Sequence, residues 1–185
     1  TRLTLNGTLK QPTGVAFDSV NQHLYVSDTH AHDIKVFTLD GALINTMGRR
    51  GDGDGEFNFP TMLWRSDSGQ LLVTDSLNFR TQIFDSNGVF VSKFGKLGDG
   101  SGDAPRQKGV AKDRYGHIYV VDSLLHAVQI FDTSGRFLLS FGGLGQAPGE
   151  FWLPTGVFVA ADDMIYVTDS YNRRVQVFKY VGAPL

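Results

Sequence analysis

Leu72–Phe84 reads LVTDSLNFRTQIF, and Tyr166–Phe178 reads YVTDSYNRRVQVF. Two further stretches share the frame: YVSDTHAHDIKVF at Tyr25–Phe37 and YVVDSLLHAVQIF at Tyr119–Phe131. The aspartates Asp28, Asp75, Asp122 and Asp169 recur every 47 residues, as do Phe37, Phe84, Phe131 and Phe178. A turn glycine follows in three copies (Gly41, Gly88, Gly135), then a second apolar run ending at Gly48, Gly95 and Gly142. Such a strict period in a Gly-rich chain is a structural repeat, because each copy is a unit that must stack on its neighbours to bury its apolar face.

Each unit reads as four strands. Lys35, Gln82, Gln129 and Gln176 sit between apolar neighbours, the period-2 pattern of a strand. Asp40-Gly41, Asn87-Gly88 and Ser134-Gly135 supply positive-φ hairpin turns. No segment keeps a helical period, which excludes parallel βαβ units, since nothing long enough crosses between strands. The expected fold is therefore all-β: a β-propeller of four-stranded antiparallel blades, about four blades of roughly 47 residues. The blade boundaries fall near 8–54, 55–101, 102–148 and 149–185 of a single domain, with residues 1–7 an orphan outer strand.

The pattern lacks the Trp-Asp ending of WD repeats and the Gly-Gly of kelch repeats. PTGVAFD, YVTDSYNRRVQVF and GEFNFP together resemble the NHL-repeat family over nearly the whole chain. That resemblance implies a bacterial six-bladed propeller in an extracytoplasmic setting. Six blades would need about 280 residues, against 185 present. A fragment of a six-bladed propeller is favoured over a closed four-bladed ring, because blade twist and width in this family suit six. An open fragment would expose sheet edges and self-associate. Repeat 3 departs from the others. It reads GDAPRQ where its neighbours have GEFNFP and GEFWLP, so it loses the aromatic plug and the loop proline. Drift on a tolerant loop and a gap in the rim where something docks are both open.

Candidate chemistry lies where the loops differ between blades, since loops on a rigid scaffold carry function. The aspartates present in every unit read as architectural, accepting amides from the following turn. The leading reading is a non-enzymatic binding or interaction module. Its ligand-or-partner rim is His30, His32, Asn78, Phe79, Arg80, His126, Tyr171, Asn172, Arg173 and Arg174. Arg beside aromatic groups suits a carboxylate, a sugar or a partner protein. The competing structural reading makes Asn-x-Arg the turn chemistry of the family. Phe57, Phe59, Phe151 and Trp152 are expected mostly in the inter-blade core, with Trp64 packed as well. A second functional reading is a metal-assisted lyase or hydrolase, for which Asp28, His30, His32 and His126 are the weak ligand candidates. A third is a structural self-assembling unit. No cofactor is expected, and a divalent metal is a minor alternative.

The Gly-rich loops Gly51–Glu56 and Gly98–Asp103 lack the Lys-Ser/Thr of a phosphate loop and the spacing of an EF-hand, so they read as connectors. Weak Ca²⁺ binding at Asp52, Asp54 and Glu56 is a secondary reading. No nucleophile elbow or spaced Ser-His-Asp set occurs. With a net charge of −2 and no basic block, a phosphate-tracking nucleic-acid surface is not expected. The absence of cysteine excludes disulfides and thiolate chemistry. No apolar run is long enough for a membrane-spanning helix. Asn6-Gly7-Thr8 matches a glycosylation acceptor by a common chance pattern. Thr1 is not an initiator methionine, in keeping with a missing leader or upstream segment.

Overall fold

The computed structural model describes Leu5 and residues 9–181. Apart from Leu5, the expected outer strand at 1–7 and the Asn6-Gly7-Thr8 sequence lie outside the described residues. The chain is all-β, in four antiparallel sheets of consecutive strands. Blade 1 holds β1 (Pro12–Asp18), β2 (His23–Asp28), β3 (Asp33–Thr38) and β4 (Leu43–Met47). Blade 2 holds β5 (Pro60–Arg65), β6 (Leu71–Asp75), β7 (Arg80–Phe84) and β8 (Phe90–Phe94). Blade 3 holds β9 (Gln107–Lys112), β10 (Ile118–Asp122), β11 (Ala127–Phe131) and β12 (Phe137–Gly142). Blade 4 holds β13 (Pro154–Val159), β14 (Met164–Asp169) and β15 (Arg174–Lys179), three strands among the described residues. Among the described residues the only helical turns are two short 3-10 turns, Thr29–Ala31 and Ser76–Asn78. Among the described residues no helix is long and apolar enough to cross a membrane.

The 47-residue period carries through to the hydrogen-bond ladder. Val26 faces Lys35, Val73 faces Gln82, Val120 faces Gln129 and Val167 faces Gln176, the same register in every blade. A slip of one residue would turn each apolar face to solvent, which is why the alternation holds the register.

The chain divides into two compact units, residues 1–93 and 94–185. In the first, Tyr25, Ile34, Val36, Met47, Phe57, Leu71, Val73 and Phe84 share one buried cluster. The inner strands β1 and β5 approach so closely that a Cβ on Gly14 would lie 2.2 Å from the Thr61 carbonyl oxygen. Only glycine fits there. The Ser27 hydroxyl donates to that same carbonyl and accepts from the Gly14 N–H. Arg65 on β5 reaches back to blade 1, where Nε and Nη2 bond Asp18 Oδ2 at 3.0 and 2.6 Å, and its guanidinium lies 4.3 Å from the Tyr25 ring centroid. Burial pushes the Asp18 carboxyl up, but the Asn21 amides and Arg65 outweigh it and hold it at about 2.

In the second unit, Tyr119, Val121, Val128, Ile130, Phe151, Ile165 and Val167 form the core, with Phe141 and Phe178 packed against it. A Cβ on Gly109 would lie 2.7 Å from the Val157 nitrogen, so β9 and β13 meet as β1 and β5 do. Phe57 and Phe151 are fully buried plugs. Repeat 3 carries Ala104 at that position, while Phe94 packs on Phe131 at 4.5 Å between centroids, as the equivalent Phe141 packs on Phe178 at 4.8 Å.

Candidate functional site

Within each unit the turn joining the second and third strands of a blade touches the Gly-rich loop entering that blade. Two blades show the same mechanism. Asp75 ends β6 and is fully buried. It accepts the Asn58 N–H at 2.7 Å and, through Oδ2, Asn78 Nδ2 (2.8 Å), Arg80 Nε (2.8 Å) and Gln82 Nε2 (3.1 Å). Arg80 spends its other donors on the carbonyls of Asp52 (2.7 Å), Gly53 (2.8 Å) and Glu56 (3.0 Å). Asn78 also donates to Gly51 O, and Gln82 to Glu56 O.

Asp169, Asn172, Arg174 and Gln176 repeat every one of these bonds. Arg174 holds the carbonyls of Gln146, Ala147 and Glu150, each at 2.8 Å. Burial pushes Asp169 up, yet the Trp152 N–H, Asn172 and Arg174 together leave it below its ordinary value. A planar fork of fixed donors suits a curved row of carbonyls, so arginine here ties down a loop that has no ladder of its own. Asn78, Arg80, Asn172 and Arg174 thus sit inside the scaffold, with donors committed.

His32, Phe79, His126 and Arg173 occupy one equivalent position, the left-handed residue closing each turn, with φ of 60°, 56°, 53° and 54°. In blade 1, His32 Nδ1 accepts the Phe59 N–H at 3.2 Å while its ring meets Phe59 edge-on at 4.6 Å. In blade 3, His126 Nδ1 accepts the Leu153 N–H at 3.1 Å. Each histidine therefore binds its blade to the entrance of the next. His30 is exposed, 5.6 Å from the Phe59 centroid. Asp28 is buried, accepts the amides of Lys10 and Gln11, and lies 3.6 Å from Lys35 Nζ. Among the described residues no three His, Asp or Glu side chains converge as a metal site.

Burial, then the charges of Arg50, His30 and Lys10, lower the His32 pKa below 6.5. A depressed histidine pKa means that the unfolded state binds the proton more readily. The stability His32 contributes is complete above its ordinary pKa and is lost as pH falls through the folded value. A protonated Nδ1 cannot accept the Phe59 N–H. An NMR titration is expected to place the His32 midpoint below 6.5, the ordinary histidine value, with Phe59 amide exchange quickening as His32 titrates. A His32 midpoint at or above 6.5 would contradict this.

Besides His30 on blade 1, the candidates that face solvent lie on blade 4. Tyr171 is 61% exposed and Trp152 is 40% exposed, and their rings lie 5.6 Å apart. The Tyr171 N–H donates to Trp152 O, which fixes the pair. Arg173, two residues after Tyr171 in the same turn, is exposed, and its side chain makes no hydrogen bond or ion pair among the described residues. Trp152 differs from expectation: its equivalent position lies at the loop exit, one residue after the plug Phe151, where the chain turns outward. Its adjacency to the repeated plug was the only sequence signal, and it pointed inward.

Residues 9–37 match the NHL repeat, and residues 109–183 match a family described as a six-bladed β-propeller. No curated protein matches the sequence. Among solved structures, a catalytically inactive virginiamycin B lyase from Staphylococcus aureus, solved with quinupristin, aligns with a TM-score of 0.66 at 15% identity over 94% of this chain. A streptogramin B lyase aligns with a TM-score of 0.64 at 14% identity over 92%. Hydrazine synthase from Kuenenia stuttgartiensis aligns with a TM-score of 0.68 at 14% identity over 94%. The chain spans 57%, 55% and 47% of those three chains, respectively. At such identity the likeness is one of fold.

Proposed function

We propose that this β-propeller chain, whose residues 9–37 match the NHL repeat, is a non-enzymatic binding module that meets a protein partner through the blade 4 turn and loop. The observation that carries this reading is the Trp152–Tyr171 pair, held outward by a backbone hydrogen bond, with Arg173 in the same turn. Trp, Tyr and Arg are enriched at interface hot spots: the aromatics bury much area with two rotors each to freeze, and Arg adds a planar fork of donors. Two aromatic residues left in water on a rigid turn carry little ordering cost on binding. The Arg174 clamp serves this surface indirectly, by holding in place the Gln146–Glu150 loop that leads into Trp152.

The test uses a partner isolated with the wild-type chain. Trp152→Ala, Tyr171→Ala and Arg173→Ala are expected to leave the fold intact by circular dichroism. At least one aromatic replacement should weaken binding by roughly tenfold or more, the scale of a hot-spot residue. Affinity unchanged in all three would remove this surface from consideration.

A further inference from the structure

Blades 2 and 4 contain, in their own arginines, a cation that blade 3 lacks. Counting 47 residues on from Arg80 and Asn78 gives Ala127 and Leu125. The cage that holds the guanidinium in the other two blades is nevertheless folded. Gly102 N donates to Gln129 Oε1 at 2.9 Å, as Gly55 donates to Gln82 and Gly149 to Gln176. Gln129 Nε2 donates to Asp103 O, as Gln82 and Gln176 donate to Glu56 O and Glu150 O. Asp103 Oδ2 accepts the Gly100 N–H at 3.0 Å, the role of Glu56 towards Gly53 and Glu150 towards Ala147. The loop therefore keeps its shape without the arginine that braces it elsewhere.

A cavity of about 240 Å³ stands at the vacated place, between Asp99–Ser101, Ala127, Gln129 and Ser140. The residues whose carbonyls receive the guanidinium in blade 2, Asp52 and Gly53, correspond to Asp99 and Gly100 on its wall. The carboxylate corresponding to Asp75 is Asp122. It is fully buried and forms no ion pair among the described residues, whereas Asp28, Asp75 and Asp169 each have a cationic neighbour. Pro105 offers no N–H at the position of Asn58, and Asp122 instead takes the amides of Arg106, Leu124 and Leu125.

We propose that this slot in blade 3 is a binding site for a guanidinium group supplied from outside the chain. The ligand chemistry is a planar cation with several fixed donors, because the acceptors are carbonyls arranged as in the two blades that hold such a cation. A compact ammonium would satisfy fewer of them at once. The site uses none of the residues of the Trp152–Tyr171 surface, so either can fail alone.

The probe is methylguanidinium, with methylammonium as the matched control, followed by amide NMR on the full chain. Saturable shifts are expected at Gly100, Ser101, Ala127 and Gln129 with methylguanidinium and not with methylammonium. Ala127→Met, which fills the slot without charge, and Ala127→Arg, which supplies the group internally, should both abolish them. Ala127→Arg should also raise the melting temperature by several degrees. Acetyl-Gly-Arg-Gly-amide separates the sources: binding comparable to methylguanidinium points to an arginine side chain of a partner, and loss of binding to a small guanidinium compound. Absence of saturable shifts, equal shifts with methylammonium, or shifts that persist in Ala127→Met would overturn the proposal.

Discussion

Arg80→Ala is expected to lower stability by about 3–5 kcal/mol, the range for removing one partner of a buried ion pair. The side chain is 8% exposed and its Asp75 partner 0%. Its loss leaves that carboxylate buried without a cation, and the carbonyls of Asp52, Gly53 and Glu56 without the donor that orders them. Desolvation is the larger part of the cost, since neither the carboxylate nor the carbonyls regain full hydration. The equivalent Arg174 is 30% exposed, so Arg174→Ala should cost clearly less, as water can replace part of the lost bonding. Urea unfolding of both variants provides the comparison. Equal losses, or a loss below about 1 kcal/mol at Arg80, would mean that loop bracing is not what this arginine does. Arg80→Lys should recover little, because an ammonium cannot reach three carbonyls and a carboxylate together.

Arg65→Ala should rank beside it, at about 3–5 kcal/mol by the same rule. Both partners of the Arg65–Asp18 pair have side chains 2% exposed. The pair joins β5 to the hairpin after β1, and Arg65 also lies over Tyr25, so its removal takes away a charge partner and a cation–π contact together. Asp18, held at about 2, adds a pH signature. A depressed carboxylate pKa contributes stability that is fully present above its ordinary value of about 4 and is lost as pH falls toward 2. Wild type should therefore lose stability across that window more steeply than Asp18→Asn. Parallel pH profiles for the two proteins would show that the pair carries no linked stability.

Much of this was legible in the residues themselves. The aspartates that end each blade's second strand, the phenylalanines at the end of its third strand and the turn glycines repeat at a fixed spacing, and a repeat must fold as copies of one unit. Alternation about Gln82, Gln129 and Gln176 set the strands and their faces. The structural reading of Asn-x-Arg was also available, although the loop it grips was not. Arg80 and its Asp52 and Gly53 acceptors lie 27–28 residues apart, and nothing local in the sequence says which of several polar groups a buried arginine will meet. Variability between blades was a poor guide to exposure: His32 and His126 vary from their equivalents, yet each has its Nδ1 engaged by the next blade. Trp152 follows a plug residue and still faces solvent.

The 47-residue period by itself determined the blade, its strand order and its register, because periodicity of two and turn chemistry are local properties of the chain. Only the tertiary structure decided which polar residues are scaffold and which are free. That depends on which carbonyls and carboxylates are denied water once the sheets pack, and no single repeat contains that information. The same folding leaves Trp152 and Tyr171 outward and keeps an arginine-shaped slot in blade 3 where the chain has only Ala127.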